Sequence, residues 1–167
     1  VNMTVINGKT LLVKSPIVGM VANKVREHGV SHGLGEAGYD IRINQEISFK
    51  PGGIAGCHII VDNGEPEWGR FCIASAMEEF DMPADLVGIV HDKSTWARQG
   101  LSVFNTVIEP GFKGGLTLEL VFHGNKELII PAGAGIAQVI FSTLVHGARY
   151  EGKYQNQSTE PVSARFD

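Results

Sequence analysis

The 167 residues carry 14 Lys and Arg against 18 Asp and Glu, a formal net charge of -4, so the chain as a whole is not built to coat nucleic acid or an anionic membrane. Its length suits one domain, 1–167, with a single sizeable core. No apolar run approaches a membrane span and the N-terminus lacks a signal peptide's basic and apolar regions, which sets the expectation of a cytoplasmic protein without a membrane partner.

Abundant Gly, with Pro punctuating many short apolar runs, predicts a mainly β fold, a sandwich or barrel. The chain opens Val1-Asn2-Met3, and Met3 is the expected native start. Ser15-Pro16, followed by Ile17, Val18, Val21 and Val25 and closed by Gly29, has an N-cap, a proline at the first helical position and helical apolar spacing. That predicts the one long helix of the chain. His28, His32 and Glu36 lie across Gly29, Gly33 and Gly35, in what reads as a flexible loop too loose for a metal site. Ala37-Gly-Tyr-Asp-Ile-Arg42 opens the β region, with Asp40 and Arg42 expected to form a structural ion pair. From Gln45 to Ile89, strands alternate with turns such as Lys50-Pro-Gly-Gly53 and Asp62-Asn-Gly-Glu65. Cys57 and Cys72 sit in apolar, strand-like surroundings and are expected to be free buried thiols.

Leu86-Val-Gly-Ile-Val-His91 reads as a strand entering a short helix, Asp92-Lys-Ser-Thr-Trp-Ala-Arg-Gln-Gly100, which Ser94 caps and Gly100 ends. Free backbone N–H groups and Lys93 then point outward, a geometry suited to phosphates. A hairpin over 101–122 follows. In Leu116-Thr-Leu-Glu-Leu-Val-Phe122 the residues Leu116, Leu118, Leu120 and Phe122 share one face, Thr117, Glu119 and Val121 the other, and Glu119 is the only charge. Such a carboxylate sits at a solvated edge or in a pocket where desolvation raises its pKa. Arg98, Ser94 and Glu119 together supply a cation, a hydroxyl and a base, which favours the pocket and a metal-free way to deprotonate a water. Ile129-Ile-Pro-Ala-Gly-Ala-Gly135 is a turn and Ile136-Ala-Gln-Val-Ile-Phe141 the last core strand. The polar tail, 149–167, is expected to stay mobile until a ligand or a neighbouring subunit orders it.

Lys93-Ser-Thr-Trp-Ala-Arg-Gln-Gly100, Ile108-Glu-Pro-Gly-Phe-Lys-Gly114, Thr117-Leu-Glu-Leu120, Gly135-Ile-Ala-Gln138 and Lys153-Tyr-Gln-Asn-Gln157, in that order, resemble the dCTP deaminase branch of the dUTPase-like superfamily. Before Phe71 only the 37–42 segment matches. The resemblance implies a distorted β-barrel or jelly-roll-like fold of dUTPase type, with one N-terminal helix and a short helix after Lys93. It also implies a homotrimer with its sites at subunit interfaces. The activity implied is hydrolytic deamination of dCTP to dUTP and ammonia. The His-x-Glu and Pro-Cys-x-x-Cys pattern of zinc deaminases is absent, so no zinc is expected. Mg2+ would arrive bound to the triphosphate.

By the same resemblance Glu119 is the general base and proton shuttle, Arg98 holds its carboxylate and the water, and Ser94 fixes that water. Lys93, Ser94 and Thr95, with the helix backbone through Trp96, Ala97 and Arg98, would cradle phosphates, joined by Lys153 and Gln157 from the tail. Val107 and Glu109 of the 103–109 hairpin, with Thr117 and Leu118, would contact the nucleotide, and Tyr150 or Tyr154 would line the sugar. Trp96 has two readings, a ligand stack or a packing contact, and its place beside Ala97 favours packing.

Two departures bear on specificity. The 103–109 hairpin is shorter than in typical members, and that segment touches the pyrimidine. Glu109 stands where an Asp commonly precedes Pro-Gly. In dUTPases and bifunctional deaminases that Asp activates water for triphosphate cleavage, and an extra methylene degrades the alignment. Little diphosphatase activity is therefore expected. The alternatives are a dUTP diphosphatase or bifunctional enzyme giving dUMP, and a non-catalytic nucleotide-sensing trimer, with dUTP and dTTP as further candidate ligands.

Overall fold

The computed structural model describes residues 4–52, 54 and 56–166; Met3 and Gly53, named above as a start and part of a turn, lie outside them. In chain order the elements are β1 (Val5–Ile6), α1 (Gly8–Lys14), β2 (Lys24–Glu27), β3 (Val30–Leu34), β4 (Tyr39–Arg42), β5 (Ile47–Pro51), β6 (Cys57–Val61) and β7 (Glu67–Trp68). They continue with β8 (Phe71–Asp81), β9 (Leu86–Asp92), α2 (Ser94–Ala97), β10 (Leu101–Val103), β11 (Val107–Ile108), β12 (Lys113–Phe122), β13 (Leu128–Ile130) and β14 (Gly135–Thr143).

The fold is mainly β, as the glycine-punctuated apolar runs require. Three antiparallel sheets form: β11-β9-β14-β4-β3-β2 with β1 added on β14, β10-β12-β8, and β13-β5-β6-β7. No sheet closes on itself among the described residues, so the packing is jelly-roll-like rather than a sealed barrel. One apolar cluster draws on all three sheets. Its members include Ile41 and Phe141 from the first, Leu118, Leu120 and Phe122 from the second, and Ile47 and Phe49 from the third. Period-two alternation is visible in β12, whose Leu116, Leu118, Leu120 and Phe122 are buried while Thr117, Glu119 and Val121 are only partly so.

The expected long helix over 15–29 does not form. The helix is α1, only seven residues and one segment earlier, with Leu11 buried. Ser15 ends it in the left-handed conformation (φ 49), its N–H bonded to the Leu11 carbonyl, and Pro16 follows. The apolar residues that mimicked helical spacing go separate ways: Ile17 bridges Phe80 in the core, Val18 is exposed, and Val25 enters β2. His28 and His32 lie in a β2-β3 hairpin rather than a loose loop, with His28 and Gly29 turning at positive φ and His32 close to Glu27 at 3.3 Å, while Glu36 follows in the bend after β3 and pairs with Lys24.

Asp40 and Arg42 do not pair with each other. Lys93 Nζ donates to Asp40 Oδ2 at 2.6 Å, and Arg42 Nε donates to the buried Glu78 Oε1 at 2.8 Å. Both residues lie on β4, yet each finds its partner on a different strand or loop, which local spacing cannot reveal. Asp62 and Asn63, at φ 49 and 55, form the expected turn between β6 and β7. Cys57 and Cys72 are free, Cys57 buried and Cys72 partly so.

Candidate active site

The segment read as one hairpin, 101–122, is divided between two sheets, and that division makes the site. β10 pairs with the end of β12, Leu101 against Phe122 and Val103 against Leu120. After Phe104, whose N–H bonds the Glu119 carbonyl at 3.0 Å, the chain leaves; β11 joins β9 instead, Val107 opposite Ile89. A cleft of about 1150 Å³ opens between them, with Val107 and Glu109 on one side and Thr117 and Glu119 on the other.

The tail fills the edge of β12 that β10 leaves vacant. Gln157 bridges Gly114 in parallel, the Gly115 N–H donates to the Gln157 carbonyl at 3.0 Å, and Gln157 Nε2 donates to the Gly115 carbonyl at 2.7 Å. The Val162 N–H then donates to Thr117 Oγ1 at 3.0 Å. Glycine is needed at this crossing: a Cβ on Gly115 would stand 2.2 Å from the Ser158 carbonyl oxygen, and one on Gly114 2.7 Å from that of Gln157. The tail is thus ordered by its own chain, contrary to the mobile segment expected from its polarity. Pairing with a vacant strand edge holds it, together with Tyr150 and Tyr154 packed against the core.

Glu119 is half-buried in this cleft. Burial pushes its carboxyl above the ordinary carboxylate range, and Oε2 is buried without a hydrogen-bond partner. The register sets Ile73 opposite Glu119 and Phe71 opposite Val121, and both line the cleft. These two were missed in the sequence, where their alternation becomes informative only once the β8-β12 pairing is known. Tyr150 and Tyr154 both line the cleft, the Tyr150 hydroxyl accepting the Tyr154 N–H at 3.2 Å. The pocket reading of Glu119 therefore holds over the solvated edge.

Other predicted residues lie elsewhere. Lys93 and Ser94 border a separate polar recess of about 270 Å³ with Asp40 and Gln138. There Lys93 Nζ also donates to Ser31 Oγ at 2.9 Å, so its ammonium is already engaged. Helix α2 spans four residues, with Lys93 rather than Ser94 at the N-cap and no side-chain cap bond; Gly100, at φ 92, ends the segment. Thr95, Ala97 and Arg98 are exposed and line neither space. Trp96 is buried and its Nε1 donates to the Gly135 carbonyl at 2.6 Å, which commits the indole to packing. Leu118 is 1% exposed, so its side chain belongs to the core and only its backbone can meet a ligand. Lys153 Nζ donates to the Arg165 carbonyl, at the outer end of the tail.

Within one chain, then, Val107, Glu109, Thr117, Glu119, Tyr150 and Gln157 share a cleft that Ser94 and Arg98 do not reach. Among the described residues the cleft is lined by five carboxylates, those of Glu65, Glu67, Glu109, Glu119 and Glu160, and by no Lys or Arg. It also holds Cys72, whose thiol burial pushes up to about 12.

A dCTP deaminase-like family model matches residues 61–144, which run from the end of β6 through the whole of β14. The dCTP deaminase of Campylobacter curvus is 33% identical, over 86% of this chain and 87% of its own length, and that of Campylobacter hominis 36% identical over 77% and 76%. Among solved structures, the 2'-deoxycytidine 5'-triphosphate deaminase of Agrobacterium tumefaciens superposes with a TM-score of 0.56 at 17% identity, covering 85% of this chain and 49% of that one. The EIAV dUTPase does so with a TM-score of 0.51 at 18% identity, covering 78% and 90%. At those identities the structures speak for the fold, while the sequence relatives and the family model carry the assignment: the chain belongs to the dCTP deaminase-like family.

Proposed function

We propose that the protein deaminates dCTP hydrolytically to dUTP and ammonia, without zinc, in the cytoplasmic deoxynucleotide pool. The observation that carries this reading is Glu119: a half-buried carboxyl with a raised pKa and an unpartnered, buried Oε2, facing a cleft large enough for a nucleotide. Water adds to C4 of the cytosine ring while Glu119 takes one of its protons and passes it to N3; Glu119 then takes the remaining proton from the new C4 hydroxyl and passes it to the amine, so that the C4–N bond breaks, ammonia departs and the C4 carbonyl forms. A carboxyl held above its ordinary range gives up and regains a proton more evenly at neutral pH, as a shuttle must.

The cleft's donors support a route that does not depend on zinc. They are carboxylates, hydroxyls, the Gln157 amide and a single thiol held protonated, with no His among the described residues, whereas zinc deaminases use a His and Cys ligand set. Mg2+ enters with the triphosphate. Among the described residues no three His, Cys, Asp or Glu side chains group into a metal site, so phosphate oxygens and water would supply its ligands.

A cleft whose lining carries carboxylates and no cation among the described residues needs positive charge brought to it, from the tail and from a neighbouring copy. A neighbouring copy, in the homotrimer we propose, would bring its exposed Arg98 and Ser94 to Glu119 and its α2 backbone and Lys93 to the phosphates, while this chain contributes Lys153 and Gln157. Exposed apolar residues beside the cleft, Phe71, Phe104 and Val107, suit such a contact. Backbone of Thr117 and Leu118 and the Val107 segment would face the base, and Tyr150 the sugar.

One assay decides. Incubation with dCTP and Mg2+ should release ammonia without pyrophosphate, and Glu119→Gln should abolish release while nucleotide binding persists. Pyrophosphate from dUTP would instead make the protein a diphosphatase or bifunctional enzyme using Glu109. Binding with neither product would make it a sensor.

A further inference from the structure

Lys153 and Arg165 are brought together at the rim of the cleft, with no carboxylate partner among the described residues. Lys153 Nζ lies 5.7 Å from the centroid of the Tyr154 ring, and the Arg165 guanidinium carbon lies 6.0 Å from the same centroid. The two residues also hold each other through the main chain. Lys153 Nζ donates to the Arg165 carbonyl, Arg165 Nη1 donates to the Lys153 carbonyl at 2.8 Å, and the Arg165 N–H donates to the Tyr154 hydroxyl at 3.0 Å. Neither cation appears in a salt bridge to a carboxylate among the described residues, unlike Lys14, Lys24, Arg42, Lys93 and Lys113.

Two like charges converging on one aromatic ring repel each other. Carbonyl oxygens and the ring face offset part of this, and a multiply charged anion would offset the rest. The pair stands where such an anion would arrive, since its immediate neighbours Tyr154 and Ala164 line the cleft whose own charges are all negative. Arg165 also presents a planar fork that meets phosphate in a bidentate fashion, which an ammonium cannot do.

We propose that Arg165 is a ligand of the nucleotide's terminal phosphates, acting beside Lys153. This rests on the reading of the cleft as a nucleoside triphosphate site and adds a residue to it. Arg165 is exposed, so replacing it removes no core contact.

The test titrates wild-type protein, Arg165→Gln and Arg165→Lys with the α,β-imido analogue of dUTP, which resists cleavage, and with dUMP, both in Mg2+, and measures KM and kcat for ammonia release from dCTP. Losing a charge-assisted contact predicts that Arg165→Gln weakens binding of the imido triphosphate, and raises KM for dCTP, by roughly tenfold or more. Its affinity for dUMP should stay within about twofold of wild type, and Arg165→Lys should recover part of the loss. Equal weakening of triphosphate and monophosphate would make Arg165 a tail fastener and overturn the assignment, as would an unchanged affinity for the imido triphosphate. Wild-type protein that binds neither nucleotide removes the triphosphate site itself and Arg165 with it, so the two failures are told apart.

Discussion

Substituting Gly115 by Ala tests how the tail is held over the site. The position has an ordinary backbone conformation, so alanine introduces no torsional strain in β12, where Gly115 pairs with Glu79. The new Cβ would instead fall 2.2 Å from the Ser158 carbonyl oxygen and 2.7 Å from Thr159 Cα, both backbone atoms that cannot rotate away. Undocking the tail forfeits the Gly115 N–H bond to the Gln157 carbonyl, the Gln157 Nε2 bond to the Gly115 carbonyl, and the Val162 N–H bond to Thr117. At roughly 1 kcal/mol net for each of those bonds, docking weakens by about 3 kcal/mol, on the order of a hundredfold in the docked-to-undocked ratio. Limited proteolysis read by mass spectrometry should show cleavage between 150 and 166 in Gly115→Ala under conditions where wild type is spared, with an unchanged far-ultraviolet circular dichroism spectrum. KM for dCTP should rise more than kcat falls, since the tail contributes binding. A variant whose tail resists protease as wild type does, with wild-type KM, would refute the claim that the glycine pair carries the docking.

An interface site predicts complementation. Glu119→Gln and Arg98→Ala homo-oligomers should each be inactive, yet a randomly mixed equimolar trimer contains intact Glu119–Arg98 pairs at about one quarter of its interfaces, so about a quarter of wild-type ammonia release should return. No recovery after verified subunit exchange would place both residues in one subunit's site or remove one of them. Glu119 also predicts a pH effect on stability. Its folded pKa is raised by burial, so the ionised form is penalised on folding. The penalty is absent below the unfolded pKa, grows as pH rises toward the folded one, and is complete above it. Glu119→Gln should therefore melt higher than wild type at pH 7 and alike near pH 4, and equal shifts at both would contradict the burial. Arg42→Ala should cost about 3 kcal/mol in urea denaturation by leaving the buried Glu78 carboxylate with the backbone N–H of residue 42 but without its guanidinium. A cost below about 1 kcal/mol would mean that the pair is solvated.

How much was legible varies with the range of the interaction that decides each feature. The β12 alternation placed Leu118 and Leu120 in the core and Glu119 on the other face, because a period of two is a property of the strand itself. The Asp62-Asn63 turn was equally local. The 15–29 segment misled because its apolar spacing fits a helix, whereas Ser15 and Pro16 terminate α1 and distant Phe80 claims Ile17. Lys93 was legible as a cation at the start of the short helix, but nothing near it in the chain predicts its partner Asp40 across the recess, 53 positions away. Trp96 was placed in packing by its helical setting, but its acceptor, the Gly135 carbonyl, belongs to β14.

From the sequence alone came the mainly β class, the family, and Glu119 as the single charge in an apolar strand, since composition, short motifs and strand period are all encoded within a few residues of one another. Only the tertiary structure decided that the 101–122 segment splits between two sheets, that the tail takes the strand edge this leaves open, and that Arg98 and Ser94 lie outside the cleft of Glu119 in one chain. The reason is that a strand's choice of neighbour depends on which edge is vacant and which surface is already buried, and those are properties of the packed molecule rather than of any segment in it.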